Sequence, residues 1–186
     1  VTKSGGNDFE GDFQLTYSNP SMILAPPLDG DSPDEQLEEQ LQVNLGGPVV
    51  QDKAWFYMSF QGDRLIRTTV FDPDEIGRDT DLYPMSPRDW RSLYYYGKLT
   101  VQPNHAHRMW AHFQGDPTWI DNTEQDPYTL PSGETWWRQG GWIGSVGHQY
   151  APHSALLIES QAYVQNNYIK MTPILWKDCQ NWDDRG

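Results

Sequence analysis

The sequence predicts an all-β fold, an antiparallel up-and-down transmembrane β-barrel segment of about seven strands from a larger barrel. Three observations predict it. Polar and apolar residues alternate strictly over several stretches, and the connections between those stretches run long, short, long, short, long, short. The chain is also polar overall, yet it holds nine Trp and ten Tyr among 186 residues. A strand with one face in an apolar medium alternates with a period of two. A barrel crossing a bilayer sorts its connections by parity, with short turns on one side and long loops on the other. Soluble meanders have no reason to do so.

The first stretch, 9–18, places Phe9, Gly11, Phe13, Leu15 and Tyr17 on one face and Glu10, Asp12, Gln14, Thr16 and Ser18 on the other. A long loop follows over 19–36, rich in Pro, Asp and Ser. Alternation resumes with Leu37, Leu41, Val43 and Leu45 against Glu38, Gln40, Gln42 and Asn44, and ends in the turn GGPVVQDK. Beyond it, Ala54, Phe56, Met58, Phe60 and Gly62 oppose Trp55, Tyr57, Ser59, Gln61 and Asp63. A second long, acidic loop is expected over 71–89. Leu93, Tyr95, Gly97, Leu99 and Val101 then oppose Ser92, Tyr94, Tyr96, Lys98 and Thr100. After the short turn QPNH, Met109, Ala111, Phe113 and Gly115 oppose Arg108, Trp110, His112 and Gln114.

A third long loop is expected over 116–134. The next strand, TWWRQGGWIGSVGHQ, is Gly-rich, and the pattern leaves its facing open. Past the short turn YAPH, Leu156, Ile158, Ser160, Ala162 and Val164 oppose Leu157, Glu159, Gln161, Tyr163 and Gln165. The tail 166–186 is expected to be a further loop.

Charge placement agrees with two unlike faces. Lys98, Arg108 and Glu159 fall in the polar sets of their strands, whereas a Lys or Arg at mid-bilayer on the apolar set would cost about 2–4 kcal/mol. Glu39 shares parity with Leu41 and Val43, near the long-loop end of its strand. Tyr17, Trp90, Trp119 and Trp136 cluster at the long-loop ends, as an interfacial girdle requires, and Trp55 lies at the short-turn side.

Bulk composition narrows the function classes. Thirteen Lys and Arg against 26 Asp and Glu leave a formal charge of −13, which excludes a nucleic-acid or polybasic membrane-surface binder. One cysteine excludes an internal disulfide framework. No apolar run reaches the roughly 18 residues of a transmembrane helix, which says nothing of strands of about 9–11 residues. The chain opens on Val1-Thr2-Lys3-Ser4-Gly5, without Met or an apolar leader, and reads as a mature piece or fragment.

Two motifs carry a resemblance. Residues 1–11, VTKSGGNDFEG, resemble the V-T-K-S-G-[TG]-N-x-[FW]-x-G signature that leads from plug to first barrel strand in TonB-dependent outer-membrane receptors, most of all the Oar-like branch. Residues 45–56, LGGPVVQDKAWF, resemble that branch's first periplasmic turn, L-G-G-P-[IV]-x-K-D-[KR]-x-[FW]-[FW], with Gln51 where Lys or Arg is common. The resemblance covers 1–70 by motif and the rest by architecture. It implies a barrel of 22 strands around an N-terminal plug, in the outer membrane of a Gram-negative bacterium, importing or handling ligands with energy passed through a TonB box. On that reading 1–8 is the plug-to-barrel junction and 1–186 the N-terminal part of the barrel, with plug and remaining strands absent. Its partners are the bilayer, the rest of its own barrel and plug, the TonB complex and other envelope proteins. Two alternatives stay open: a secreted β-sandwich that binds carbohydrate through exposed aromatics, and a structural barrel subunit of an envelope complex that does not transport.

Candidate chemistry is sparse. Lumen-facing Tyr57, Tyr94, Tyr96, Trp110 and Tyr163 can contact a ligand or pack against a plug, and Trp119 sits in an Asp/Trp-rich loop suited to a ligand or partner outside the cell. Asp29, Asp31, Asp34 and Glu35, like Asp72, Asp74 and Glu75, concentrate oxygen ligands of the kind Ca²⁺ prefers, without the twelve-residue EF-hand spacing. No other cofactor is expected. The five histidines (105, 107, 112, 148 and 153) show no metal-ligand spacing, and those beside turns read as solvated. No G-x-S-x-G, nucleophilic cysteine context or phosphate-cradling glycine loop occurs, and Asp72 and Asp74 lack a framing pocket. The expectation is a non-enzyme.

Overall fold

The structure is a computed structural model that describes residues 5–22, 35–68, 87–123 and 133–173. Eight strands build one antiparallel sheet: β1 (Glu10–Ser18), β2 (Glu35–Val50), β3 (Ala54–Thr68), β4 (Arg88–Asn104), β5 (His107–Gly115), β6 (Thr118–Asp121), β7 (Thr135–His153) and β8 (Leu156–Pro173). A 3-10 turn at Pro20–Met22 follows β1. Neighbouring strands pair antiparallel in an up-and-down order, β5 and β6 both pairing β4 and β7 rather than each other. β5 and β6 lie end to end between β4 and β7, so the eight elements occupy seven positions.

The register aligns residues into lateral rows, and the rows decide what each face is. One row reads Phe13, Val43, Phe60, Tyr95, Gly115, Trp142 and Asn166. The next reads Gly11, Leu45, Met58, Gly97, Phe113, Gly144 and Val164. From the row of Leu15 and Leu41 to the row of Ala54 and Val101, this face carries no Asp, Glu, Lys or Arg among the described residues. Leu93 to Val101 spans about 27 Å along the strand at ~3.4 Å per residue. Tilted by the roughly 35–45° of barrel strands, that length stands about 19–22 Å tall, most of the ~25 Å apolar band of such barrels. The opposite face of the same rows is polar, with Asp12, Asn44, Ser59, Tyr96 and Gln114 in one row.

Beyond the band, on the long-connection side, the polarity of the two faces inverts. The apolar face becomes the row Tyr17, Glu39, Arg64, Arg91, Trp119, Arg138 and Lys170. The polar face becomes Leu65, Trp90, Ile120, Trp137 and Met171. Arg64 bonds Asp89 at 3.1 Å and Arg91 bonds Asp121 at 2.6 Å, which ties β3, β4 and β6 together above the band.

Little of the apolar surface is internal. Among the described residues only Ala54, Ile120 and Trp136 are buried hydrophobics, whereas Phe13 and Leu15 are 68% and 67% exposed. A continuous apolar face of this extent far exceeds what a soluble monomer exposes.

Several expectations need correction. The segment 116–134 is not loop throughout, because β6 continues the line of β5 past Asp116 and Pro117. Pro117 has no N–H to give the ladder. Around it, Asp116 N donates to Gly141 O at 3.1 Å, Gly141 N donates to Asp116 Oδ1 at 2.8 Å, and Leu93 N donates to Pro117 O at 3.0 Å. Gly140 absorbs the distortion at φ 138°, where a Cβ would meet Asp116 O at 2.6 Å. The tail is not loop from 166, since β8 runs to Pro173. The facing of the Gly-rich strand is now fixed: Trp142, Gly144 and Val146 share the apolar face, and Gly141, Ile143 and Ser145 the polar one. The second and third long connections lie mostly outside the described residues.

The kink yields a test. Gly140→Ala should destabilise the folded protein by about 1–3 kcal/mol, since that backbone region is open only to glycine. A lower denaturant midpoint for the variant checks it, with Gly97→Ala as the control, because a Cβ there meets nothing within 4 Å.

Candidate functional site

The polar face holds a chain of side-chain contacts crossing six strands. Asn44 Nδ2 donates to Asp12 Oδ2 at 2.7 Å, and the Tyr57 hydroxyl donates to Asn44 Oδ1 at 3.2 Å. The Tyr57 and Tyr96 rings meet at 6.0 Å, and Tyr96 stacks on His112 at 5.9 Å. His112 Nδ1 hydrogen-bonds Ser145 Oγ at 2.9 Å. Antiparallel neighbours lie close enough on one face for such pairs to form. The chain therefore stiffens the wall laterally, from β1 to β7.

Above it opens a cavity of about 500 Å³, lined among others by Ser59, Gln61, Tyr94, Tyr96, Gln114 and Asn167. Its lining is mostly amide, hydroxyl and phenol. Such groups offer donors and acceptors together, and Asp116 adds one carboxylate to the lining, its Oδ1 accepting from Gly141 N.

Of the sequence candidates, Tyr57, Tyr94 and Tyr96 come together on this wall. Trp110 also faces the polar side but sits nearer the short turns, beside Gly147. Tyr163 is on β8, opposite Ser145 and 71% exposed. Trp119 is not a loop residue; it lies in β6 on the other face, opposite Arg91 and Arg138. Trp90, by contrast, turns to the inner face, donating from Nε1 to Ser92 Oγ at 2.8 Å. The calcium candidates Asp29, Asp31 and Asp34 lie outside the described residues, as do Asp72, Asp74 and Glu75, while Glu35 begins β2. The histidines beside turns are not all solvated. His107 Nδ1 and His148 Nε2 hydrogen-bond at 3.0 Å, and His107 stacks on Tyr150 at 4.6 Å.

A second constellation joins the start of the described chain to the first short turn. Asp52 takes a positive φ of 62°, which an acidic side chain tolerates better than most, and Lys53 N donates to Val50 O at 3.1 Å. Asn7 grips that turn three times. Its Nδ2 donates to Asp52 Oδ1 at 2.6 Å, and its Oδ1 accepts from Asp52 N at 3.0 Å and from Trp55 Nε1 at 2.7 Å. Gly5 lies over Gly46 on the polar face, so close that a Cβ would come within 2.1 Å of Phe56 O. On the apolar face the Phe9 and Phe56 rings meet at 6.3 Å. The two sequence motifs thus form one structural unit. Sequence reasoning missed Asn7, Asn44, His112 and Ser145 as partners; parity alone placed Asn44 and His112 on the inner wall.

With this geometry in place, the chain can be set beside known proteins. Over 151 residues, 63% of this chain, it is 28% identical to the TonB-dependent transporter Oar of Myxococcus xanthus. The match spans only 14% of that transporter's length. No protein-family profile and no solved structure matches the chain. A relation to TonB-dependent receptors is therefore supported by similarity at a distance, together with an all-β up-and-down sheet.

Asn7→Ala should cost about 0.5–1.5 kcal/mol of stability, because it removes exposed hydrogen bonds to Trp55 and Asp52 whose groups water can then solvate. Asn7→Asp, which keeps an acceptor but sets a carboxylate against Asp52, should recover little. Denaturant unfolding of both variants, followed by circular dichroism against the unsubstituted protein, checks this.

Proposed function

We propose that the chain is the N-terminal part of the barrel of an Oar-like, TonB-dependent receptor, moving a ligand across the outer membrane of a Gram-negative bacterium. The observation that carries this reading is the charge-free apolar face, five rows deep, backed by a polar face in the same strands. Lipid outside and a filled or watery lumen inside are the environments such a sheet fits. The similarity to the Myxococcus transporter and the two motifs support the same assignment. A secreted sandwich needs a second sheet over the apolar face, and the described residues form one sheet.

On this reading residues 1–8 are the plug-to-barrel junction. β1 and β8 each pair on one side only among the described residues, and open edges are not viable in lipid, so further strands of the same barrel close them. The inner tyrosines Tyr57 and Tyr96 pack against the plug, and Tyr94 lines the space left for ligand. The chain is not an enzyme; its partners are the bilayer, its own plug and remaining strands, and the TonB complex. Transport on this reading depends on the plug and that complex.

Two measurements test the proposal. The full-length polypeptide carrying these residues should sediment with outer membranes and need detergent for extraction; a soluble monomer in plain buffer overturns the assignment. Leu99→Arg, on the apolar face, should lower folding into vesicles by about 2–4 kcal/mol, while Ser59→Arg, on the polar face, should change it far less. Equal effects would contradict the facing.

A further inference from the structure

At the short-turn end of the outer face, β5 and β7 bring two histidines together. His107 Nδ1 and His148 Nε2 lie 3.0 Å apart, with their ring planes 5° from parallel. His107 also faces Tyr150 across the ladder and stacks on its ring at 4.6 Å, which fixes the imidazole. No spacing in the sequence shows the pair, because its members are 41 residues apart on separate strands.

Directly opposite His148, on the same face, stands Met109. Opposed side chains on antiparallel strands have Cβ atoms about 4.5–5.5 Å apart. The unbranched thioether of methionine adapts its shape easily, so its sulfur can reach across that gap. Met109 and His148 also line one depression of about 590 Å³, together with Val101, Ala111 and Ser160. From β4 to β8, the rows Val101, Met109, His148, Ser160 and His107, Tyr150, Ile158 carry no Asp, Glu, Lys or Arg.

Two imidazoles and a thioether are neutral ligands. Among the described residues no three His, Cys, Asp or Glu side chains converge, so a closed zinc centre has no ligand set here. A thioether donor selects Cu(I) instead, and imidazole suits copper as well. A monovalent ion also leaves only a single positive charge on a face without carboxylates.

We propose that His107, His148 and Met109 form a three-coordinate Cu(I) site that ties β5 to β7 at the short-turn rim. His107 Nδ1 and His148 Nε2 are its nitrogen ligands, and the Met109 sulfur is the third. Two nitrogens on one ion lie about 3.3–3.5 Å apart at bonds of ~2.0 Å, so the pair opens by a few tenths of an ångström. The proton now between the rings moves to the other nitrogen of the donating ring. Both imidazoles stay neutral, and no electron is transferred. The site needs only the pairing of β5 with β7 and stands independently of transport.

The test uses the full-length polypeptide in detergent, kept anaerobic with ascorbate, and bicinchoninate-bound Cu(I) as the probe. The protein should withdraw one equivalent of Cu(I) that His107→Gln and His148→Gln each lose. Met109→Leu, which keeps the volume, should weaken that equivalent by about tenfold or more. Even groups that only orient a ligand are worth about 10–100-fold in metal affinity. His153→Gln, at the end of β7, should change nothing. X-ray absorption of the bound copper should show two nitrogen neighbours and one sulfur. Heat-modified gel mobility confirms that each variant is folded, and Met109→Leu keeps the site testable should a histidine variant not fold. Failure to withdraw Cu(I) from the chelator, or uptake unchanged in both histidine variants, overturns the site. Zn(II) held as tightly as Cu(I), or Met109→Leu without effect, overturns the thioether ligand and the copper assignment with it.

Discussion

Register is the constraint on which the structure depends. Strand side chains alternate with a period of two, so a slip of one residue would send every apolar side chain to the polar face. Register shifts occur beside the three short turns, at Pro48/Val50, Val101/Asn104 and Tyr150/His153; between them the rows stay aligned from β1 to β8 across seven positions, even past Pro117. There the missing N–H is bypassed by the Asp116 side chain and by the unusual φ of Gly140. Because the distortion adds no net residue to either strand, Trp119 and Arg138 stay in phase with Gly115 and Trp142. The ion pairs of Arg64 and Arg91 then lock the extension above the band.

With so few buried apolar side chains, the usual source of stability is absent. Burial of apolar area drives most folding, and here that area points outward. What the sheet supplies instead is pairing of backbone groups between neighbouring strands, with open edges at β1 and β8 among the described residues, and such pairing is the condition for a polypeptide surrounded by hydrocarbon. The inner wall adds the relay from Asp12 through Asn44, Tyr57, Tyr96 and His112 to Ser145. Its members are individually weak, but each spans a strand boundary, so together they resist shear between neighbours. The same facing puts tyrosine and amide groups at the cavity beside the single carboxylate of Asp116, while the cationic Lys98 and Arg108 lie closer to the short turns.

The strands β1 to β5 were legible because polar and apolar residues split cleanly by parity. β6 was hidden, since Asp116-Pro117 looks like the start of a loop and a side chain standing in for a backbone donor leaves no sequence pattern. The facing of β7 was hidden because glycine has no polarity to reveal it. β8 seemed to end at 165 for a different reason. Past the band the faces exchange polarity, so Ile169 and Met171 turn inward and Lys170 outward, and a reading that expects apolar residues on the outer face finds only noise. The tyrosines of the inner wall were placed correctly by parity, but their partners were not, because Asn44, His112 and Ser145 sit on other strands. The Asn7 clamp spans 45 residues to Asp52, far beyond any local pattern.

That clamp changes what the two motifs signify. Taken separately, a Gly-Gly-Asn stretch and a Gly-Gly-Pro turn are each common enough to arise by chance. In the structure they are the two halves of one contact: Gly5 itself has no room for a Cβ against Phe56 O, and Asn7 bonds both the N–H of Asp52 and the indole of Trp55. Aspartate at 52 supplies the positive φ that turns that N–H toward Asn7, and Trp55 follows at the position that faces the same side. A change in either motif would leave polar groups of the other without their partner in the protein. The physical requirement thus runs between the motifs, which is why their joint occurrence, at this spacing, carries more weight for the receptor reading than a modest identity over part of the chain.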